Sequence, residues 1–152
     1  MNIIDSLKDK YGPKIEVQEK NSRRAFIKIA KDQAPDLLRH LHKDLGARFS
    51  TASGVDTPQA IEILYHLALD QHQLVVTVKV LVEKPQLEMA SVTNFIAAAN
   101  WIEREIHEMF GVNFVGHPKM ETLLLSEDWP AGVYPLRKQT FESEQENAVR
   151  EN

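Results

Sequence analysis

Three consecutive segments between Ala47 and Val82 alternate apolar and polar residues, and this alternation restricts the fold more than any other feature of the chain. The segments read ARFSTASGVD, AIEILYHLAL and QLVVTVKVLV. They are separated only by Asp56-Thr57-Pro58 and by the polar stretch DQHQ. Because a period of two places alternate side chains on one face of a strand, and because the connections are short, the pattern predicts an antiparallel meander.

Before this meander, the sequence predicts one helix and two further strands. Gly12-Pro13 ends the helix, and the segments KIEVQEK and RRAFIKIA alternate as half-buried strands do, with a turn at Asn21-Ser22. One face of the predicted helix carries the apolar residues Ile3, Ile4, Leu7 and Tyr11.

Two more amphipathic helices are predicted. In the first, Asp32 is the expected N-cap, Pro35 suits the first turn, and Gly46 marks the end. In the second, Ser91 is the expected cap and Gly111 the end. Its apolar residues recur every three or four positions, at Val92, Phe95, Ile96, Ala99, Ile102, Ile106 and Phe110. The predicted fold is therefore α+β with two layers: a mainly antiparallel meander with amphipathic helices packed on it.

The C-terminal part is predicted to be an extended tail. Pro130, Gly132 and Pro135 lie too close together for regular structure, and an apolar segment of this kind needs a surface to lie on. We therefore divide the chain into an α/β domain at 1–118, a partner-binding tail at 119–138 and a polar, disordered C-terminus at 139–152. The apolar residues of the tail are Leu123, Leu124, Leu125, Trp129, Tyr134 and Leu136.

Composition argues against several classes of function. The chain has 152 residues, no cysteine and a formal net charge of −4. Disulfides, thiolate metal sites and iron–sulfur ligation by this chain are thereby excluded, and a nucleic acid is an improbable partner. No secretory signal is recognised at the N-terminus, and the apolar run Leu74–Val82 contains Lys79 and is too short to span a membrane.

The segment EREIHEMFGVNFVGHP carries the candidate site residues. A metal site could use Glu103, His107 and His117, although the helical zinc motif His-Glu-x-x-His is absent. An acid–base pair could use Glu105 and Glu108, but carboxylates three apart on a helix end are usually solvated. A structural or interfacial cluster of ion pairs is the third and favoured alternative.

Arg137 and Lys138 close the apolar tail and leave two interpretations open. An arginine fork there could bind a carboxylate or a main-chain carbonyl of a partner. The same two residues could equally be a solvated cationic pair at the end of an ordered segment.

The stretch WIEREIHEMFGVNFVGHP, followed by LLL, DW and YPLRK, resembles the signature region of the 30 kDa subunit family of respiratory NADH:quinone oxidoreductase, complex I. The same family includes the homologous subunit of membrane-bound energy-converting [NiFe] hydrogenases. One departure is Glu121, where the family commonly has a basic residue or proline. The resemblance assigns signature and interface roles to Glu103, Arg104, Glu105, Glu108, Phe110, Gly111, Gly116, His117, Pro118, Trp129, Pro135, Leu136, Arg137 and Lys138.

The resemblance implies an accessory subunit with no catalytic site, metal or cofactor of its own. It would dock beside the hydrogenase large subunit that carries the nickel–iron centre, or beside the homologue of that large subunit in complex I. An iron–sulfur small subunit and membrane subunits would belong to the same complex. The accessory subunit itself would be peripheral, on the cytoplasmic side of the membrane.

Within the family, the tail sequence favours one branch. The form SEDWPAGVYPLRK is closer to the Ech-type, carbon monoxide-induced and formate hydrogenlyase branch than to complex I. The corresponding 30 kDa subunit of complex I, an NADH:quinone oxidoreductase, is the alternative. A free-standing Glu/His metalloenzyme is a remote one.

Overall fold

Strands β3 (Arg48–Asp56), β4 (Ala60–Leu69) and β5 (Leu74–Glu83) form the predicted antiparallel meander in a computed structural model that describes residues 2–138. The central strand β4 pairs with β5 along its whole length and with β3 on its other side. The alternation of apolar and polar residues in the sequence therefore corresponds to the alternation of side chains between the two faces of the sheet, as predicted.

Two further strands extend this sheet. β1 (Ile15–Asn21) and β2 (Arg24–Ile29) form a hairpin, and β2 then pairs in parallel with β5. The order across the sheet is β1-β2-β5-β4-β3, so β2–β5 is the parallel pair in an otherwise antiparallel sheet. The predicted mainly antiparallel α+β fold is confirmed.

One face of the sheet supports the core. Buried side chains of the strands, such as Ile27, Tyr65 and Val78, join a single apolar cluster with residues of helices α1 (Ile3–Tyr11) and α2 (Ala34–Arg39). The alternate side chains of β2, Arg24 and Lys28, are exposed. The layer of helices thus lies on one side of the sheet, which accounts for strands that are buried on only every second residue.

The start of α2 differs from the prediction. The residue before the helix is Gln33, which makes no side-chain cap, so Asp32 is not the N-cap. Pro35 does lie in the first turn, where its missing N–H costs no intrahelical hydrogen bond. A π-helical turn, His40–Asp44, follows directly. Gly46, two residues after this turn, has a left-handed φ of 68°.

The last helix is shorter than predicted. Helix α3 spans Asn100–Phe110, and a short 3-10 turn, Ala97–Ala99, precedes it. Ser91 is not its cap, because the Ser91 hydroxyl is hydrogen bonded to the side chain of Glu103 within α3. Apolar residues at 92, 95, 96 and 99 are buried without forming a continuous helix. Their helical spacing therefore predicted their burial correctly and their secondary structure wrongly.

A second, two-stranded sheet was not predicted. β6 (Glu88–Ala90) pairs in parallel with β7 (Asn113–Val115), which lies in the segment interpreted as a loop after α3. Gly111 ends α3 with φ at 80°, as predicted. None of the helices within residues 2–138 has the length and apolar character that crossing a membrane requires. The predicted disordered segment 139–152 lies outside the described residues.

Gly54 provides a test of the contact between α3 and the sheet. A Cβ at position 54 would lie 2.5 Å from Cε2 of Phe110, whose ring is buried. We expect Gly54→Ala to lower the free energy of unfolding by about 1–3 kcal/mol, because the ring has to move within a packed core. Chemical denaturation measures the change. Ser50→Ala, at an exposed position of the same strand, is the control, and equal stability of the two variants would contradict the predicted contact.

Candidate partner-binding surface at the end of helix α3

Glu103 is fully buried and connects α3 to the chain before it. One carboxylate oxygen accepts a hydrogen bond from the Ser91 hydroxyl over 2.6 Å, and the other accepts one from the Val92 N–H over 2.8 Å. Burial raises the pKa of Glu103, although these two hydrogen bonds favour the charged form. Glu103 therefore fixes the position of α3 instead of facing a substrate.

Arg104 binds the backbone of the tail. Its Nε donates to the carbonyl of Glu121 over 2.9 Å, and its Nη2 donates to the carbonyl of Thr122 over 2.7 Å. Both contacts use main-chain oxygens, so the side chain of Glu121, the departure from the family pattern, does not affect them. The guanidinium fork fits two successive carbonyls that have no partner in a helix or strand.

Glu108, one helical turn after Arg104, binds the next three residues of the tail. Its carboxylate accepts hydrogen bonds from the N–H groups of Leu123, Leu124 and Leu125, at 2.9 Å for Leu124 and 3.4 Å for Leu125. Glu108 is 8% exposed. The expectation of a solvated carboxylate was therefore wrong, because the tail folds back over the helix end.

Further contacts hold the distal part of the tail to the same helix end. Nε of Arg137 donates to the carbonyl of Phe110 over 2.7 Å, and the Leu136 N–H donates to the carbonyl of Met109 over 3.1 Å. The last carbonyls of a helix lack intrahelical partners, and here the tail supplies some. Arg137 thus binds a main-chain carbonyl of its own chain.

Asp56, at the end of β3, holds the end of the tail. Its Oδ2 accepts from the Lys138 N–H over 2.9 Å, and its Oδ1 lies 2.6 Å from Nζ of Lys84. Burial by itself would raise the pKa of Asp56, but the Lys84 ammonium and the Lys138 N–H outweigh it and hold the pKa below its ordinary value. Asp56 was not identified from the sequence, where it belonged only to a predicted turn.

Gly111 brings the tail close to the helix. With φ at 80°, it adopts a conformation that L side chains rarely take, and a Cβ there would lie 2.7 Å from the ring of Tyr134. Gly111 therefore ends α3 and also leaves the space that the ring of Tyr134 in the tail occupies.

The two histidines of the segment are engaged with main-chain groups. Nδ1 of His107 donates to the carbonyl of Val112 over 2.9 Å, and Nε2 of His117 donates to that of Asn100 over 3.0 Å. Both must be donors here, since a carbonyl only accepts. Within residues 2–138, no three histidine or carboxylate side chains lie close enough to hold a metal ion. The set Glu103, His107 and His117 is not brought together as ligands.

The signature residues fall into three groups by exposure. Three are buried: Glu103, Glu108 and Phe110. Six are partly buried: Arg104, Glu105, Gly111, His117, Pro135 and Arg137. Five are exposed: Gly116, Pro118, Trp129, Leu136 and Lys138.

Large apolar side chains remain accessible around this junction. Trp101 is 70% exposed and Leu124 is 60% exposed, and both border one groove beside β3. Trp129 and Leu136 are 40% and 50% exposed. No residue of 119–138 is fully buried on the domain. Polar contacts therefore hold the tail in place while Leu124, Trp129 and Leu136 stay accessible to another surface.

Trp101 was not singled out from the sequence. It lies beside Ile102, which belongs to the predicted apolar stripe, so its own position is off that stripe. A tryptophan outside the apolar face of an amphipathic helix is the signal that could have identified it.

We expect Glu108→Ala to release the start of the tail. The N–H groups of residues 123–125 would lose their acceptor. We therefore expect the free energy of local opening to fall by roughly 1–2 kcal/mol and amide exchange to become about tenfold faster. Hydrogen exchange followed by mass spectrometry measures this. Glu105→Ala is the matched control, since Glu105 makes no hydrogen bond or ion pair within residues 2–138. Unchanged exchange in Glu108→Ala would contradict the assigned role.

The buried carboxyl of Glu103 predicts a pH dependence. Because its pKa in the folded state is raised above the ordinary 4.5, the folded chain binds this proton more tightly than the unfolded chain. That stabilisation is complete below the ordinary pKa and is lost as pH rises through the folded pKa. The free energy of unfolding of the native chain minus that of Glu103→Gln should therefore fall as pH rises. Denaturation of both at several pH values tests this, and a constant or rising difference contradicts it.

Comparison with known proteins gives the context of this junction. A subunit of the F(420)H(2) dehydrogenase of Methanosarcina mazei is 34% identical over 140 residues, which cover 90% of this chain and 88% of that protein. A longer subunit of the NADH-quinone oxidoreductase of Acinetobacter baylyi is 29% identical over 149 residues, which cover 90% of this chain and 25% of that protein.

A solved structure agrees over nearly the whole chain. A chain in the structure of the membrane-bound sulfane sulfur reductase, an archaeal respiratory membrane complex, superposes with a TM-score of 0.78 at 27% identity, covering 95% of this chain and 89% of that one. Residues 27–146 match the family described as "Respiratory-chain NADH dehydrogenase, 30 Kd subunit". The chain that folds its tail over α3 in this way belongs to the 30 kDa subunit family of respiratory-chain NADH dehydrogenase.

Proposed function

We propose that this chain is an accessory subunit, without a catalytic site of its own, of a membrane-bound energy-converting [NiFe] hydrogenase. It docks beside the catalytic large subunit in the peripheral arm, on the cytoplasmic side of the membrane. In that place it supports the transfer of electrons to protons by holding neighbouring subunits in register.

One observation carries the docking role: the tail is fixed by its backbone while its side chains Leu124, Trp129 and Leu136 stay accessible. Arg104, Glu108 and Arg137 contribute their charges to main-chain groups of the chain itself. The accessible residues Trp101, Leu124, Trp129 and Leu136 include two tryptophans, a residue type enriched in the energetic centres of interfaces. A preformed tail loses less conformational entropy on binding than a flexible one.

The cofactors of such a complex belong to the partner subunits in this proposal. The large subunit would carry the nickel–iron centre, and a small subunit the iron–sulfur clusters. The absence of cysteine in this chain is compatible with that division, since thiolates are the usual cluster ligands. Membrane subunits would hold the assembly to the bilayer.

The second candidate is the 30 kDa subunit of an NADH:quinone oxidoreductase. The relative from Acinetobacter baylyi favours it by name, and the tail sequence SEDWPAGVYPLRK favours the hydrogenase branch. F(420)H(2) dehydrogenase and sulfane sulfur reductase, in which other similar chains occur by name, indicate that the fold accompanies more than one electron carrier. The docking role is common to both candidates, and the metal content of the large subunit separates them.

Purification of the tagged chain from its native host tests this proposal. We expect a large subunit and an iron–sulfur subunit to co-purify, with about one nickel per large subunit by metal analysis. Partners without nickel would favour the complex I alternative. A stable monomer that retrieves neither partner would contradict the docking role altogether.

Removal of residues 123–138 should separate folding from assembly. Because no residue of this segment is fully buried, we expect the truncated domain to keep its cooperative thermal unfolding. We expect it to lose the partner subunits on purification, since Leu124, Trp129 and Leu136 would be gone. Loss of the folded state, seen by circular dichroism, would show instead that the tail belongs to the core. Truncation at residue 138, which removes only 139–152, is the control.

A further inference from the structure

The groove beside β3 contains one charged side chain, Glu105, that has no partner among residues 2–138. Its walls are apolar for the most part, its volume is about 410 Å³, and Glu105 lies among them. Within residues 2–138 Glu105 has no hydrogen-bond or ion-pair partner, although it is partly buried. The lining residues are Phe49, Ser50, Thr51, Ala98, Trp101, Ile102, Glu105, Leu123 and Leu124.

Trp101 and Glu105 are four residues apart on α3, so they lie on the same face of the helix. The tryptophan is 70% exposed, which leaves the π surface of its indole ring available. An exposed indole beside an unpaired carboxylate offers a cation two attractions, one from the ring quadrupole and one from the carboxylate charge. The apolar walls formed by Leu124 and Phe49 partly exclude water, which strengthens both.

We propose that this groove is a receptor for an arginine side chain of the docked large subunit. Arginine fits better than lysine, because its planar guanidinium can stack on Trp101 while its N–H groups reach the carboxylate of Glu105. It also loses less hydration than an ammonium on entering an apolar groove. This inference rests on the proposed docking role and assigns the contact that fixes its register.

Charge identifies the occupant as a partner and not a second copy of this chain. Each copy has a formal net charge of −4, so self-association brings like charges together. Arg104 is the cation nearest in sequence to Glu105, but its guanidinium already donates to the carbonyls of Glu121 and Thr122. Among residues 2–138 no cation pairs with Glu105, and a partner arginine would neutralise its charge.

A photo-crosslinker at Leu124 tests the position of the contact in the assembled complex. Leu124→p-benzoylphenylalanine keeps both Trp101 and Glu105. After irradiation, mass spectrometry should find a crosslink to a large-subunit peptide that contains an arginine. Crosslinks to residues 139–152 of the same chain, to a second copy, or to a peptide without arginine would overturn the proposal. So would the absence of any crosslink while the partner is retained.

Substitutions in the groove test its chemistry. Glu105→Gln and Trp101→Ala should each lower by about tenfold the fraction of complex that survives a moderate-salt wash, and Trp101→Phe should restore part of it. Glu105→Lys should do more damage than Glu105→Gln, because it places two cations together. Replacing the crosslinked arginine by glutamate should rescue Glu105→Lys. Glu16→Lys, at an exposed carboxylate of β1 outside the groove and the tail, is the control.

Failure of the docking role and failure of the arginine receptor would give different results. If the native tagged chain retrieves no partner, the docking role is wrong, and the arginine receptor, which depends on it, is wrong as well. If the partner is retained equally well by the native chain, Glu105→Lys and Trp101→Ala, the docking role stands and the arginine receptor is wrong. Thermal unfolding of each purified variant shows whether a loss of partner comes from loss of fold.

Discussion

Main-chain groups that lie outside helices and strands need hydrogen-bond partners, and this need governs the C-terminal half of the molecule. Residues 119–137 form no helix or strand. Helix α3 supplies what they lack: Arg104 donates to two of their carbonyls, and Glu108 accepts from three of their N–H groups. The tail is held by charged side chains that contact its backbone, and this arrangement leaves Leu124, Trp129 and Leu136 accessible.

The same requirement explains why the charged segment resembles an active site. Carboxylates, an arginine and histidines close to each other on a helix end are the groups from which catalysts are built. Here each except Glu105 has a specific structural partner: Glu103 has Ser91 and Val92, and His107 has a carbonyl beyond the helix end. Within residues 2–138, the carboxylate of this segment without a partner is the one that borders the groove with Trp101.

The sequence predicted the elements whose pattern is local. Alternation in β3, β4 and β5, and the apolar face of α1, depend only on residues near each other, and both are confirmed. Parallel pairing of β2 with β5 depends on contacts between distant parts of the chain, and β6 and β7 have three residues each, too few to show a period. The burial of Glu108 could not be predicted, because it is produced by residues fifteen positions later that carry no helical or strand pattern. Resemblance to the family selected the signature residues, and the structure shows the contacts that they make within the chain.

The parallel pairing of β2 with β5 also determines the order in which the molecule can be completed during synthesis. Ile27 lies opposite Val78, so the N-terminal hairpin is translated about fifty residues before the strand that it joins. Until β5 leaves the ribosome, that hairpin has one edge without hydrogen bonds, and α1 has only part of the core to cover. The meander of β3, β4 and β5, whose neighbours are consecutive, can form first and offer β5 as the template. The N-terminal third of the chain is thus made first but cannot complete its sheet until β5 has been made, and it needs protection from misassociation while it waits.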